Sequence, residues 1–326
     1  MSVPYKGQAK ATHNYLPILG ETLLGALSRR PPTCSGGRGW RRLDRGVGVG
    51  QSQPMISRRH GYLTLRKEPA PGASQQLERE GWAVIRGVLN ADEVAALAAE
   101  IEGVFEGSGP DRPTDANNEF RHGMFNRSAL SQAAIASPAI LEVIEPVLGE
   151  DCHVIANTAW RNIAGHQGGL WHMDAGPHVP RPAGVAWPAE IPYPIFAIGM
   201  HLFLEDCPAE AGPTAVLAGS HRSGRLPPKD RLDDLALTYD GRRPVLLTAA
   251  AGDAALFVSD VWHRGTPAQP GYRRFFLQAH YARRDIAQRV GTTAEVAHAC
   301  PQAATRAASE RERTLIGLHQ PYFYDG

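Results

Sequence analysis

From Leu77 to Gly149 apolar positions recur at helical spacing, and beyond Cys152 they come in short runs. Leu77-Glu78-Arg79-Glu80-Gly81 reads as a short helix stopped on glycine, and Trp82 to Val88 as a strand. Asn90-Ala91-Asp92-Glu93 has the form of a capping box, an N-cap Asn with Glu three residues on. Val94, Leu97, Ile101, Val104 and Phe105 follow on one helical stripe. Gly107 to Glu119 reads as a polar loop. Ser137-Pro138 opens a second helix, with Pro in its first turn. Ile140, Leu141, Ile144 and Val147 form its apolar side, and Gly149 stops it.

Strands are expected at His153 to Ala156, Leu170 to Met173, Phe196 to Leu204, Thr214 to Leu217, Val245 to Leu247, Ala254 to Val258 and Phe275 to Tyr281. Turn pairs separate them, as in Gly212-Pro213, Gly252-Asp253 and Pro270-Gly271. Short strands at such spacing predict a mainly β sandwich or barrel with flanking helices. The 174–195 connection is long and rich in proline, the composition of a lid or binding loop. The tail from Ala287 to about Leu318 reads as helical.

Composition changes the picture at the N-terminus. Residues 1–68 carry 12 Lys/Arg against 3 Asp/Glu, and the rest 22 against 30, inside a net charge of +1. Residues 1–70 are basic and rich in Gly and Pro, without helix or strand period, so a disordered extension is expected. An overlong start, with initiation near Met55, would give the same pattern; a nucleic-acid arm or transit peptide are the alternatives. The expected organisation is this extension over 1–70, one domain over 71–290, and a helical extension over 291–326 packed on that domain. A chain starting near Pro71 should therefore stay soluble and active, and loss of folding on that truncation would overturn this assignment.

The near-neutral sum gives no field for nucleic acid. No apolar run approaches the roughly 20 residues of a membrane span. Cys34, Cys152, Cys207 and Cys300 form no Cys-x-x-Cys pair, which argues against a zinc ribbon or disulfide scaffold and fits a reducing, cytoplasmic location. A small-molecule partner, with the chain a monomer or homodimer, is the expectation that remains.

The candidate chemistry lies in Trp171-His172-Met173-Asp174. On a strand, positions i and i+2 share a face, so His172 and Asp174 would project together. His263 follows Asp174 by 89 residues. Two histidines and a carboxylate can hold one face of an Fe(II) octahedron and leave three positions open. Taken alone, His-x-Asp is ordinary among 13 histidines and reads as a hydrogen-bonded pair. The context adds Gly265, and Arg273 and Arg274 ten and eleven residues after His263. An oxidative iron site using a dicarboxylate cosubstrate needs an arginine, whose planar fork grips a carboxylate in bidentate fashion.

The chain resembles the phytanoyl-CoA dioxygenase family of Fe(II)/2-oxoglutarate-dependent oxygenases. Four ordered segments over about 75–284 carry the resemblance: Leu77 to Leu89, Trp171 to Asp174, Glu210-Ala211-Gly212-Pro213-Thr214 through Gly219-Ser220-His221, and His263-Arg264-Gly265-Thr266-Pro267. It implies a double-stranded β-helix, a jelly-roll or cupin-like core. It implies His172, Asp174 and His263 as iron ligands and Fe(II), 2-oxoglutarate and O2 as cofactors. The family's cosubstrate arginine lies eleven residues past the distal histidine, pointing to Arg274. Local similarity of Gly-Tyr-Arg favours Arg273; neighbours on a strand face opposite sides, and Arg274 is preferred. Thr214 is a further cosubstrate candidate.

Two departures stand out: Ala218 replaces the usual proline, and Ala268 the usual asparagine. His221 is read as a structural turn histidine and His166, His178 and His201 as core or loop residues, with His201 the best candidate to support the site from behind. The implied reaction converts 2-oxoglutarate to succinate and CO2 and hydroxylates, or otherwise oxidises, a small organic molecule such as an apolar biosynthetic intermediate. Asp174 disfavours halogenation, which needs a small residue there. Trp187, Tyr193 and Phe196 would cover the mouth, and Arg161 or Arg181 would meet an acid. The alternative is a metal-binding jelly-roll without oxygenase activity, a cupin-like binding module.

Overall fold

The computed structural model describes residues 72–109, 118–174, 176–188, 191–288 and 299–318. The extension read at 1–70, residues 289–298 and the end of the tail from 319 lie outside them. Helix α1 (Gly72–Glu80) passes through Gly81, at φ +82°, into β1 (Trp82–Ile85). Glycine is required twice there: for the left-handed backbone, and because a Cβ would stand 2.7 Å from His221 Nδ1. Asn90 and Glu93 close the expected capping box, with the Glu93 amide donating to Asn90 Oδ1 at 3.0 Å and the Asn90 amide to Glu93 Oε2 at 2.8 Å. Helix α2 (Ala91–Gly107) then buries Val94, Leu97, Ile101 and Phe105.

The polar stretch expected as a loop ends in a strand instead, β2 (Asn118–His122). Its Arg121 is buried, and its Nη2 donates to the carbonyls of Phe105 (2.9 Å) and Ser108 (2.7 Å) at the C-terminus of α2. A guanidinium placed there satisfies carbonyls that the helix leaves open and complements its dipole. Short helices α3 (Met124–Arg127) and α4 (Ala129–Ile135) precede the expected α5 (Pro138–Leu148).

The remaining strands are β3 (His153–Asn162), β4 (Ala197–Phe203), β5 (Thr214–Val216), β6 (Val245–Leu246), β7 (Ala254–Val258), β8 (His263–Gly265) and β9 (Arg274–Ala282). The strand expected over Leu170 to Met173 reduces to one bridge, His172 with His263. Its other amides turn elsewhere: Trp171 N–H donates to Leu232 O and Asp174 N–H to Ser259 O. The single helical tail expected is two pieces within the described residues, α6 (Pro301–Arg306) and α7 (Glu310–Leu315), because Ser309 and Glu312 form a capping box that starts the helix afresh.

The strands form a six-stranded antiparallel sheet, ordered β1-β7-β4-β9-β3-β2, and a three-stranded one, β6-β5-β8. This is the mainly β, helix-flanked jelly-roll expected. Strand alternation gives the large sheet two faces. On β9, Phe275, Leu277, Ala279 and Tyr281 join the helices in one core, which also takes in Ala303, Leu315 and Ile316 from α6 to just past α7. The opposite face meets the small sheet through Phe203, Phe257, Phe276 and Val216.

Register orders that inner face in rows. His201, Gln278, Thr158 and His122 stand across four adjacent strands. Phe203, Phe276, Trp160 and Phe120 form the next row, and Arg274, Asn162 and Asn118 the one beyond. Trp160 Nε1 donates to Gln278 Oε1 at 2.7 Å, tying the first two rows together.

Candidate active site

His172 and His263 meet through main chain and side chain. Each amide donates to the other's carbonyl, at 2.9 and 3.0 Å, and their ring centroids lie 4.2 Å apart. His172 Nδ1–H donates to Leu170 O at 2.8 Å and His263 Nδ1–H to Val261 O at 2.9 Å. A carbonyl only accepts, so each ring carries its proton on Nδ1 and can present Nε2 as a ligand; this is how metal-binding imidazoles are oriented. Asp174 completes the group: one ligand atom from each of the three lies within 4.8 Å of the others. His263 is buried, Asp174 half-buried and His172 exposed at the rim.

Asp174 Oδ1 stands 3.4 Å from His263 Nε2 and Oδ2 stands 3.0 Å from His280 Nε2. Burial would raise this carboxyl, but the charges and hydrogen bonds of His263 and His280 outweigh it and hold Asp174 well below the usual range. For His263, burial lowers the pKa, and Asp174 with the Val261 carbonyl more than reverses it. His172 is lowered, first by the protein around its ring and then by His263. An anionic oxygen and two imidazole nitrogens converging in this way fit a divalent iron.

Arg274 and Arg273 part company as alternation requires. Arg273 is exposed and paired with Glu205, its Nε donating to Oε2 at 3.0 Å. Arg274 is buried on the inner face, over the Phe276 ring at 5.5 Å, and has no hydrogen-bond or ion-pair partner among the described residues. Burial pulls its guanidinium down to about 10. Gly265, two residues beyond His263, leaves it room: a Cβ there would stand 3.2 Å from Arg274 Nη2. Thr214 faces Gly265 across the β5–β8 ladder, with its Oγ1 3.4 Å from His201 Nδ1. His201 is held well below the usual histidine range, first by burial and then by Arg274, so it stays neutral behind the site.

The other histidines separate by surroundings. His166 is buried against Ala211 O (3.2 Å) and lowered to about 4 by burial and by Arg274. His221 is buried against Glu78 O (3.0 Å) and lowered to about 3 chiefly by burial. The Ala268 amide donates to His166 O at 2.8 Å, so main chain holds the turn where an asparagine is absent. His178 lies at the start of the proline-rich strap. Its amide donates to Asp260 Oδ2 at 3.0 Å and its Nδ1 bonds Oδ1; Tyr193 Oη, near the strap's far end, donates to the same Oδ2 at 3.0 Å. Buried Asp260 thus fastens the strap at two points. Trp187 packs edge-on against Tyr193 at 5.1 Å, and Arg181 lies 5.7 Å over Trp187. Arg161 is paired with Glu119 and Glu102 over Phe105.

His280 escaped the sequence reading, although the signal was present. Counting by twos from Arg274 along β9 places Phe276, Gln278 and His280 on the same inner face. Gly199, opposite His280 on β4, keeps the approach open: a Cβ there would meet Phe257 ring atoms at 2.7 Å and His280 Nε2 at 3.1 Å. Gly199→Ala is therefore expected to destabilise the fold by about 1–3 kcal/mol, as overpacking does. A denaturation midpoint equal to that of the parent would show that the Phe257 ring yields freely.

Among the described residues no helix is long and apolar enough to cross a membrane. No curated protein sequence matches the chain. In fold it is similar to the non-heme alpha ketoglutarate dependent epimerase SnoN from nogalamycin biosynthesis, at 20% identity and TM-score 0.52, over 69% of this chain and 86% of that one. The carbocyclase SnoK from the same biosynthesis is similar at 18% identity and TM-score 0.52, over 70% of this chain and 90% of that one. Residues 77–275 match the family described as Phytanoyl-CoA dioxygenase (PhyH). That span holds His172, Asp174, His263 and Arg274, and the chain belongs to the phytanoyl-CoA dioxygenase family of Fe(II)/2-oxoglutarate-dependent oxygenases.

Proposed function

We propose that this chain is a dioxygenase that hydroxylates, or otherwise oxidises, a small organic molecule while converting 2-oxoglutarate to succinate and CO2. The observation that carries the reading is Arg274, a buried guanidinium with no hydrogen-bond or ion-pair partner among the described residues, on the face that holds His280 and close to the strand that carries His263. A buried charge is expensive unless paired. A carboxylate from outside the chain is the partner it lacks, and a dicarboxylate would reach from Arg274 to the ligand cluster.

In this reading His172, Asp174 and His263 would hold the iron. Iron with 2-oxoglutarate and O2 supplies the oxidising power to take hydrogen from a C–H bond. Arg274 grips the distal carboxylate through its planar fork, and the Thr214 hydroxyl lies beside it. His201 keeps this corner neutral, so Arg274 holds the positive charge that the cosubstrate meets. The strap, fastened by Asp260, covers the mouth and keeps bulk water from the reacting centre. Trp160 and Gln278 on the inner face present aromatic and hydrogen-bonding surface to a substrate, while Trp187 and Tyr193, expected to cover the mouth, pack with the helix-side core. A biosynthetic intermediate of modest size fits these surroundings, in a cytosolic monomer or homodimer.

Succinate formation by the full-length protein, supplied with Fe(II) and 2-oxoglutarate under air, tests this reading. Slow succinate release without added substrate is expected, as is faster release with a productive one. A protein that binds Fe(II) yet forms no succinate under any of these conditions would leave a binding module.

A further inference from the structure

We infer that His280 is a positioning residue for the metal carboxylate: its Nε2–H holds Asp174 Oδ2 aside, so that Asp174 offers the metal Oδ1 alone. The inference rests on the triad reading and concerns a residue outside the triad. His280 is buried on β9 and its Nε2 lies 3.0 Å from Asp174 Oδ2, while Oδ1 is the oxygen turned to His263 Nε2. An ionised carboxylate only accepts, so His280 Nε2 is the donor. The geometry is built from both sides. Gly199 is the residue beside His280 on β4, where a Cβ would already press on Nε2. On β3 the neighbour is Ala156, which is too small to displace the ring. Asp174 itself is set by its amide bond to Ser259 O.

Counting ligand positions shows what the arrangement does. An octahedral iron would have six positions, and two histidines with one carboxylate oxygen would use three. The other three would be open to the cosubstrate and O2. If Asp174 swung to give Oδ2 to the metal as well, one of those open positions would be lost to the protein. A donor on Oδ2 opposes that swing, and partners of this kind typically govern metal affinity by 10–100-fold.

Titration of Mn(II) into the full-length apoprotein, followed by the loss of the free-ion electron paramagnetic resonance signal, tests this without turnover. His280→Leu should weaken Mn(II) binding by about 10–100-fold. His280→Gln, whose amide nitrogen reaches about as far as Nε2, should stay within about threefold. His280→Asn, one methylene shorter, should fall with His280→Leu and provides the comparison if the leucine variant does not fold. Equal losses for Gln and Asn would assign His280 to packing and overturn the proposal. Parent-like binding by His280→Leu or His280→Asn would overturn it too, provided Asp174→Ala binds poorly. If Asp174→Ala binds Mn(II) as the parent does, the triad reading falls first.

Discussion

Asp174→Ala should end succinate formation and weaken metal binding by well over about 100-fold. Loss of a group that merely orients a ligand already costs 10–100-fold, and this substitution removes the ligand itself. It also removes the only anion of the cluster, leaving His172 and His263 to face a dication unaided. The fold should survive. Asp174 is half-buried on a loop, and the two imidazoles stay fixed by Leu170 O and Val261 O, which the substitution does not touch. Succinate and Mn(II) titrations on the purified variant, beside its thermal unfolding as apoprotein, check all three points. Parent-level succinate from Asp174→Ala would remove this residue from the site.

Arg274 and Arg273 should behave as opposites although they are adjacent. Arg274→Ala takes away a desolvated, bidentate grip, and truncating one partner of such a pair costs roughly 2–5 kcal/mol. The 2-oxoglutarate requirement should rise on the order of 30-fold or more. Arg273 gives up an exposed pair with Glu205, and surface substitutions usually stay within about 0.5 kcal/mol. A second consequence has the opposite sign. Arg274 is buried and has no hydrogen-bond or ion-pair partner among the described residues, so Arg274→Met should stabilise the apoprotein by about 1 kcal/mol, a rise of roughly 2–4 °C in Tm. Succinate formation titrated against 2-oxoglutarate, and unfolding without it, separate the two effects. A strong effect from Arg273 and none from Arg274 would mean that the inner face of β9 is not the cosubstrate face. A lower apo Tm for Arg274→Met would mean that the guanidinium already has a stabilising partner within the protein.

The parts of the fold that could be read from the chain are those where local chemistry and burial agree. Helix α2 was legible because Asn90 and Glu93 mark its start and Val94, Leu97, Ile101 and Phe105 mark its buried side. Strands β4, β7 and β9 were legible because β7 is apolar on both faces and β4 and β9 each keep one unbroken apolar face, on β9 Phe275, Leu277, Ala279 and Tyr281. Strand β2 was not, because four of its five residues are polar or charged. What holds Arg121 inside is the end of a helix more than a dozen residues earlier, a partner no local pattern reveals. The triad residues stood out through their spacing and their family resemblance. His280 did not, because its significance depends on β9 lying beside Asp174, and only the register of the folded sheet brings them together. The bridge at His172 misled in the other direction: apolar neighbours suggested a strand where each amide finds a different partner.

The turn from Ser259 to His263 serves three masters at once. Ser259 O receives the Asp174 amide, Asp260 fastens both ends of the strap, and Val261 O sets the ring of His263. Descendants of this gene are thus free in one place and bound in another. Between the two anchors, His178 and Tyr193, residues can be exchanged or added to admit a different molecule while the ligand cluster keeps its shape, as exposed connections generally allow. An insertion of a single residue in the five-residue turn would disturb the mouth, the carboxylate and the distal imidazole together. New substrates should therefore arise by rewriting the strap, with the length of this turn left unchanged.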